Sequence, residues 1–265
     1  MNKYEEALNA TEEQEDEILT DAEKAAIVIY VALKEYNNSF IAKASVNSKL
    51  STVKAVSYNR LDRYLKDAYK EIEKLQIDIT KFDKYLRNVA DINFKATADE
   101  LADILQGKSI SINKSEYDDL INTLFKNDSI RNNIARAKST LRSEVKQAIS
   151  SEEGITKLNK RVKGVVEKTT EHNKTIIRTQ TTKTMNNSRH TAMQKANEKI
   201  DGEIGKKWVS RRDEKVRVSH KALDNGVAIK LDRTFDNGLM YPGDSAGESA
   251  EVINCRCELE HDVMS

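Results

Sequence analysis

Two cysteines stand one residue apart near the end of this 265-residue chain, Cys255 and Cys257, with His220 upstream of them. Thiolate and imidazole are the ligands zinc prefers. If the cysteines lie in a strand, positions i and i+2 face one side, and both sulfurs point the same way. His220 is then a candidate third ligand. If residues 213–223 form a helix, Asp213, Arg217 and His220 share a face. That places Asp213 as a fourth ligand, or as the carboxylate that orients the imidazole. His261, four residues past Cys257, competes for the same role. The cofactor such a set would take is one structural zinc.

Two other readings of these residues stand beside the metal. Free cysteines pack as small hydrophobes, with His220 a hydrogen-bonded core histidine. A thiol beside an imidazole can also serve redox or nucleophilic chemistry. Nothing around either cysteine forms a nucleophile elbow, and the chain has no HExxH and no glycine-rich phosphate loop. The expectation is a protein without catalytic residues. A disulfide within Cys-x-Cys would close a very tight ring and conflicts with an extended segment.

Cations offer a second chemistry. The formal net charge of +1 hides segregation: residues 1–30 sum to −7, residues 157–221 to +11 and residues 222–265 to −6. Arg178, Lys183 and Arg189, followed by Lys206, Lys207, Arg211 and Arg212, are candidate contacts to nucleic-acid phosphates. Such contacts need only charge and carry no sequence information. Aromatic residues are sparse among them, so base stacking is not indicated. Lysine-rich helices with solvated faces are the plainer alternative.

The elements that would position these residues are mostly helical. Hydrophobic residues make up 38% and charged residues 33%, with one proline, a balance that suits slender helices with much surface. An apolar run at 25–33 lies within a helix over about 16–37, expected to be buried or to dock on a partner or a second copy. Helices follow over 40–68 and 69–90, where Leu61, Leu65, Ile72, Leu75, Ile79, Phe82 and Leu86 recur at three- and four-residue steps. Thr97 and Glu100 have the spacing of a capping box, opening a short helix that Gly107 stops. Ser115 opens another, and Asp128 or Ser129 caps one running to about Ser150. The longest stretch, 152–200, carries Ile155, Leu158, Val162, Val165, Thr169, His172, Ile176 and Thr179 as a weak coiled-coil-like seam, with a break expected near Thr169–His172.

Beyond Gly202 the elements shorten. Residues 208–210, 227–231 and 252–259 read as strands, and Tyr241–Pro242–Gly243–Asp244 as a turn. Trp208, Phe235, Leu239, Tyr241 and Pro242 supply the core of this tail. The predicted fold is mainly α: an elongated body of long antiparallel or coiled-coil-like helices with a small C-terminal α+β module. The predicted divisions are a helical domain at 1–150, a long connecting helix at 151–202 and the module at 203–265. No apolar run approaches the roughly 18–20 residues that span a bilayer, and the acidic first residues lack the basic start of a signal peptide.

The tail, taken as a set, resembles the phage head morphogenesis family, the minor head proteins typified by Mu protein F and its SPP1 counterpart. The matching residues are Ile177–Arg178–Thr179–Gln180, Lys207–Trp208, Asp213 through Arg217, His220 with Leu223, Phe235, Tyr241–Pro242–Gly243–Asp244, and Glu251 through Asn254–Cys255–Arg256–Cys257. Gln180 departs from the family pattern, which has Glu there. The resemblance implies a non-enzymatic minor capsid protein that binds the portal and assists procapsid assembly, DNA packaging and ejection. It implies partners in the portal protein, scaffold or capsid proteins and viral double-stranded DNA. It further implies a path from host cytoplasm to virion interior. The rival readings are a sequence-neutral nucleic-acid-binding protein outside any virion, and a Cys/His metal-dependent enzyme.

Overall fold

The computed structural model describes residues 79–264 apart from 114, 117, 120, 121, 123–127, 152, 154, 201 and 202. The helices expected over 16–37 and 40–68, with their apolar run at 25–33, lie outside the described residues, as do Tyr117, Leu120, Ile121, Leu124 and Phe125. The described elements are mostly helical, with a three-stranded antiparallel sheet near the C-terminus. They fall into two compact units, one of residues 79–127 and 175–264, the other of residues 128–174.

In the smaller unit, helix α3 (Asp128–Ser150) turns back through a short connection into the first half of helix α4 (Ile155–Asn197). Leu141, Val145 and Ala148 on one side and Val162 and Val165 on the other are buried. The pairing is antiparallel. Asn133 donates to Asn173 at 2.7 Å at one end, and Arg161 reaches Glu144 at 2.6 Å and Glu153 at 2.8 Å at the other. Helix α4 is continuous through Thr169–His172, where a break was expected. Within the unbroken helix Thr169 donates its hydroxyl back to the Val165 carbonyl at 2.8 Å. The buried stripe also departs from the predicted seam. It passes through Asn173 and Ile177, leaving His172 exposed and Ile176 half-buried. A straight helix drifts relative to a seven-residue repeat, and burial follows the drift.

In the larger unit, helix α1 (Ile79–Glu100) buries Phe82, Leu86, Val89, Ala90 and Phe94 at helical spacing. Thr97 does not cap a new helix there. It is inside α1, fully buried, and donates to the Asn93 carbonyl at 2.9 Å. Apolar contact on both sides of that turn outweighs the local capping signal. Helix α2 (Ala102–Leu105) ends at Gln106 and Gly107, both at positive φ, so the predicted stop is where it was placed. The reciprocal cap of the next helical turn belongs to Asn113. Its side chain accepts from the Glu116 backbone and Glu116 accepts from the Asn113 backbone, both at 2.9 Å.

The sheet has the order β2–β1–β3, from β1 (Glu203–Val209), β2 (Ile229–Lys230) and β3 (Glu258–Met264). Trp208 lies opposite Leu259, and Lys206 opposite His261. Ile204, Lys206 and Trp208 alternate onto one face and are fully buried. Two short helices complete the tail, α5 (Val218–Leu223) and α6 (Ser249–Val252). Both differ from expectation. Residues 213–217 form turns ahead of α5. The segment 252–257 ends a helix and then runs irregularly before the strand begins at Glu258.

The tail's core is not closed by the tail alone. Leu101, Leu105, Met193 and Ala196 from the helices pack with Trp208, Phe235, Leu239, Tyr241 and both cysteines. Trp208, Phe235, Tyr241 and Pro242 are all buried. Polar side chains of α4 fasten the same surface. The two N–H groups of the Asn186 amide are shared among the carbonyls of Thr182, Pro242 and Cys257, each 3.0 Å from Nδ2, and its oxygen accepts from the Leu259 backbone at 2.8 Å. Arg189 donates to the Leu259 carbonyl and Thr182 to the Cys255 carbonyl. The backbone groups of Leu259, on an edge strand, are thus paired with helix side chains rather than left open. Among the described residues no helix is long and apolar enough to cross a membrane.

Candidate metal centre

Helix α5 carries His220 on its buried side, and the irregular segment after α6 carries both cysteines toward it. His220 Nδ1 is 3.4 Å from Cys257 Sγ and 3.6 Å from Cys255 Sγ. The three ligand atoms all lie within 4.8 Å of one another. The cysteines meet the imidazole without being in a strand. Asn254, at φ 59, bends the backbone into the left-handed region just before them, and its N–H donates to Thr179 of α4. The Cys255 N–H closes onto the Val252 carbonyl at 3.2 Å. Local turns replace the strand pleat as the reason both sulfurs face one way.

The far nitrogen of the ring is equally occupied. His220 Nε2 lies 2.9 Å from Glu251 Oε2. Glu251 also accepts from Ser219 and Asn237. Burial raises its carboxyl, but the hydrogen bonds from Asn237, Ser219 and His220 outweigh it and hold the group below its usual range. Trp208 packs edge-on against the imidazole, with ring centroids 4.9 Å apart. Its indole N–H is buried without a hydrogen-bond partner and lies close enough to Cys257 to favour the ionised sulfur.

The two thiols are unequal. A hydrogen bond from Cys257 lowers the Cys255 thiol despite burial. The same contact, with burial, pushes the Cys257 thiol well above its usual range. The pair thus holds one proton readily and the second weakly.

Asp213 is not part of this set. It forms a two-pronged ion pair with Arg256, both contacts at 2.7 Å, and caps the Lys215 backbone. The helix that would have placed it beside His220 begins only at Val218, so its carboxylate points to the arginine between the cysteines. Arg217 instead donates to the Ile253 carbonyl. His261 lies on β3, 3.6 Å from Glu100.

The predicted phosphate contacts are dispersed. Arg189 and Lys206 are fully buried and cannot meet a nucleic acid. Lys206 donates to the carbonyls of Leu231 and Met240 at 2.9 and 2.8 Å, and burial lowers its ammonium to about 8. Arg189 lies 3.7 Å from Glu100 and is lowered to about 10 by burial. Lys207 pairs with Asp262, Arg211 approaches Glu258 at 3.9 Å, and Arg212 grips Asp224 with two nitrogens. Lys183 is half-buried, and Arg178 is exposed on α4.

Sequence reasoning did not single out Asn186, Thr182 or Ser219, and gave Glu251 no role of its own. Glu251 falls inside the family-like stretch, which was the available signal for it. Asn186 carries only the weak signal of an amide on the buried stripe of a long helix.

Neither the curated proteins nor the solved structures compared contain a match to this chain. The family comparison does: residues 139–260 match the family described as Phage Mu protein F like protein. That span runs from within α3 to the start of β3 and includes His220, Glu251 and both cysteines. Over residues 139–260, then, the chain is similar to the Phage Mu protein F like family, consistent with a phage head morphogenesis protein.

Proposed function

We infer that the chain is a minor head protein that works by binding. It docks on the portal and on neighbouring head proteins while the procapsid is built, and goes with them into the virion. Its match to a phage head family over 139–260 is the observation that carries this reading. The cysteine–histidine–glutamate cluster supports binding over catalysis. In an open cleft those groups would be nucleophile, base and orienting carboxylate. Here His220 and Cys255 are 1% exposed and Cys257 2%, which leaves no approach for a substrate.

A role in packaging and ejection then rests on contacts to head proteins more than on a basic surface. Two of the cations proposed for DNA lie in the core, and Lys207, Arg211 and Arg212 face carboxylates of the same fold. Co-expression with the portal protein of the same phage is the test. The expected result is a complex that co-elutes in size-exclusion chromatography and survives moderate salt. Absence of any complex with portal, at low salt and with assembled portal rings, would overturn the reading. A salt-titrated gel shift with double-stranded DNA separates the rival: tight DNA binding without portal binding would favour it.

A further inference from the structure

We propose that Cys255 Sγ, Cys257 Sγ and His220 Nδ1 bind one zinc ion, with Glu251 orienting the imidazole from its far nitrogen. Tetrahedral zinc has bonds of about 2.3 Å to sulfur and 2.0 Å to nitrogen, which sets neighbouring N and S ligands about 3.5 Å apart. The two nitrogen–sulfur separations here are 3.4 and 3.6 Å. The ring is also turned the way a metal requires. Nε2 gives its hydrogen to Glu251, so the Nδ1 lone pair is the one turned to the sulfurs.

Trp208 packs edge-on against the imidazole, with ring centroids 4.9 Å apart, and its N–H is buried beside the cluster. On binding, both thiols release their protons to solvent, and two thiolates balance the charge of the dication.

The chain's donors also limit the fourth ligand. The sequence has two cysteines and four histidines. His172 is exposed on α4, His190 bonds the Leu231 carbonyl and His261 sits beside Glu100. The sulfur and imidazole ligands of this chain are therefore used up at three. The ion ties α5 to the segment that follows α6, two pieces with little regular structure between them. A small α+β tail gains much from such a fastening. This inference does not depend on the portal reading.

The test uses the full chain purified from zinc-supplemented cells. One zinc per chain is expected by plasma mass spectrometry. Cobalt(II) exchanged into the site should show thiolate-to-metal charge transfer in the near ultraviolet and the strong visible bands of four-coordination. A chelator should lower the melting temperature, and added zinc should restore it. Glu251→Gln should still fold, by the fluorescence of Trp208, yet bind zinc 10–100-fold more weakly. A folded chain that carries no zinc and develops no cobalt bands would overturn the proposal. Undiminished zinc affinity in a folded His220→Gln variant would overturn it equally. A chain that folds only when zinc is supplied would support it.

Discussion

Glu251 Oε2 and His220 Nε2 sit 2.9 Å apart on the edge of the imidazole that faces away from the thiols. The carboxylate therefore decides which ring nitrogen carries hydrogen. It is anchored in turn by Ser219 on α5 and by Asn237 in the loop after β2. Helix α5 and the loop after β2 both converge on the Glu251 side chain of α6, and the histidine's orientation is a consequence of tertiary structure.

Asn186 should prove the costliest polar residue of α4 to replace. Its amide satisfies the carbonyls of Pro242 and Cys257 and the N–H of Leu259 at once. Asn186→Ala should lose about 2–4 kcal/mol in urea unfolding, since it strands several buried backbone groups together. Asn186→Leu restores volume and should recover little of that. A loss under about 1 kcal/mol in both would contradict the assignment.

Asp213→Ala should leave metal uptake unchanged and cost little stability. Its partner Arg256 is part-exposed, and such solvent-screened pairs contribute little. Zinc titration of this variant beside wild type checks the point. A marked fall in zinc affinity would return Asp213 to the ligand set.

Gly243→Ala should destabilise the protein by about 2 kcal/mol or more. Gly243 has φ +83, a conformation costing a side-chain-bearing residue roughly 1–2 kcal/mol. An added Cβ would also lie 3.1 Å from the Lys183 backbone of α4, which cannot retreat. Thermal unfolding would show the drop, and a neutral outcome would mean that the turn stands farther from the helix.

Glu258→Gln should make the protein more stable at pH 8 and change nothing near pH 4. Burial, then the nearby Glu260 charge, pushes the Glu258 carboxyl from 4.5 up to about 7. Between those values the folded state binds more protons than the unfolded one, so wild-type stability falls as pH rises through the window. The amide has no such loss. The gap should open between pH 4.5 and 7 and reach roughly 2–3 kcal/mol. Denaturant midpoints of both proteins across pH would test it. Equal curves at every pH would show that Arg211, 3.9 Å away, already compensates the charge.

Legibility differed by element. The stripe through Phe82 and Leu86, the stop at Gly107 and the Tyr241–Gly243 turn were readable, since each depends on nearest neighbours or on one helical period. The Asp244 N–H duly bonds the Tyr241 carbonyl at 3.1 Å. Thr97 and Glu100 misled because a capping box is a local preference, and both lie within a helix that its buried face prolongs. Lys206 misled for a related reason. Lysine is ordinarily a surface residue, and only the carbonyls of Leu231 and Met240, brought in by the loops, make its burial tolerable.

The sequence by itself determined that the chain is mostly helical, that its uncommon residues gather in a short tail, and that this tail resembles a phage head family. Composition, period and motif order carry those facts without any knowledge of contacts. Which residues meet was decided by the tertiary structure. His220 and the two cysteines come together, while Asp213 goes to Arg256. Arg189 and Lys206 sink into the core. Each of these outcomes turns on where a turn bends or a helix begins, and a shift of a few residues redirects a side chain by a large angle. Spacing along a chain cannot resolve that, whereas packing against α4 does.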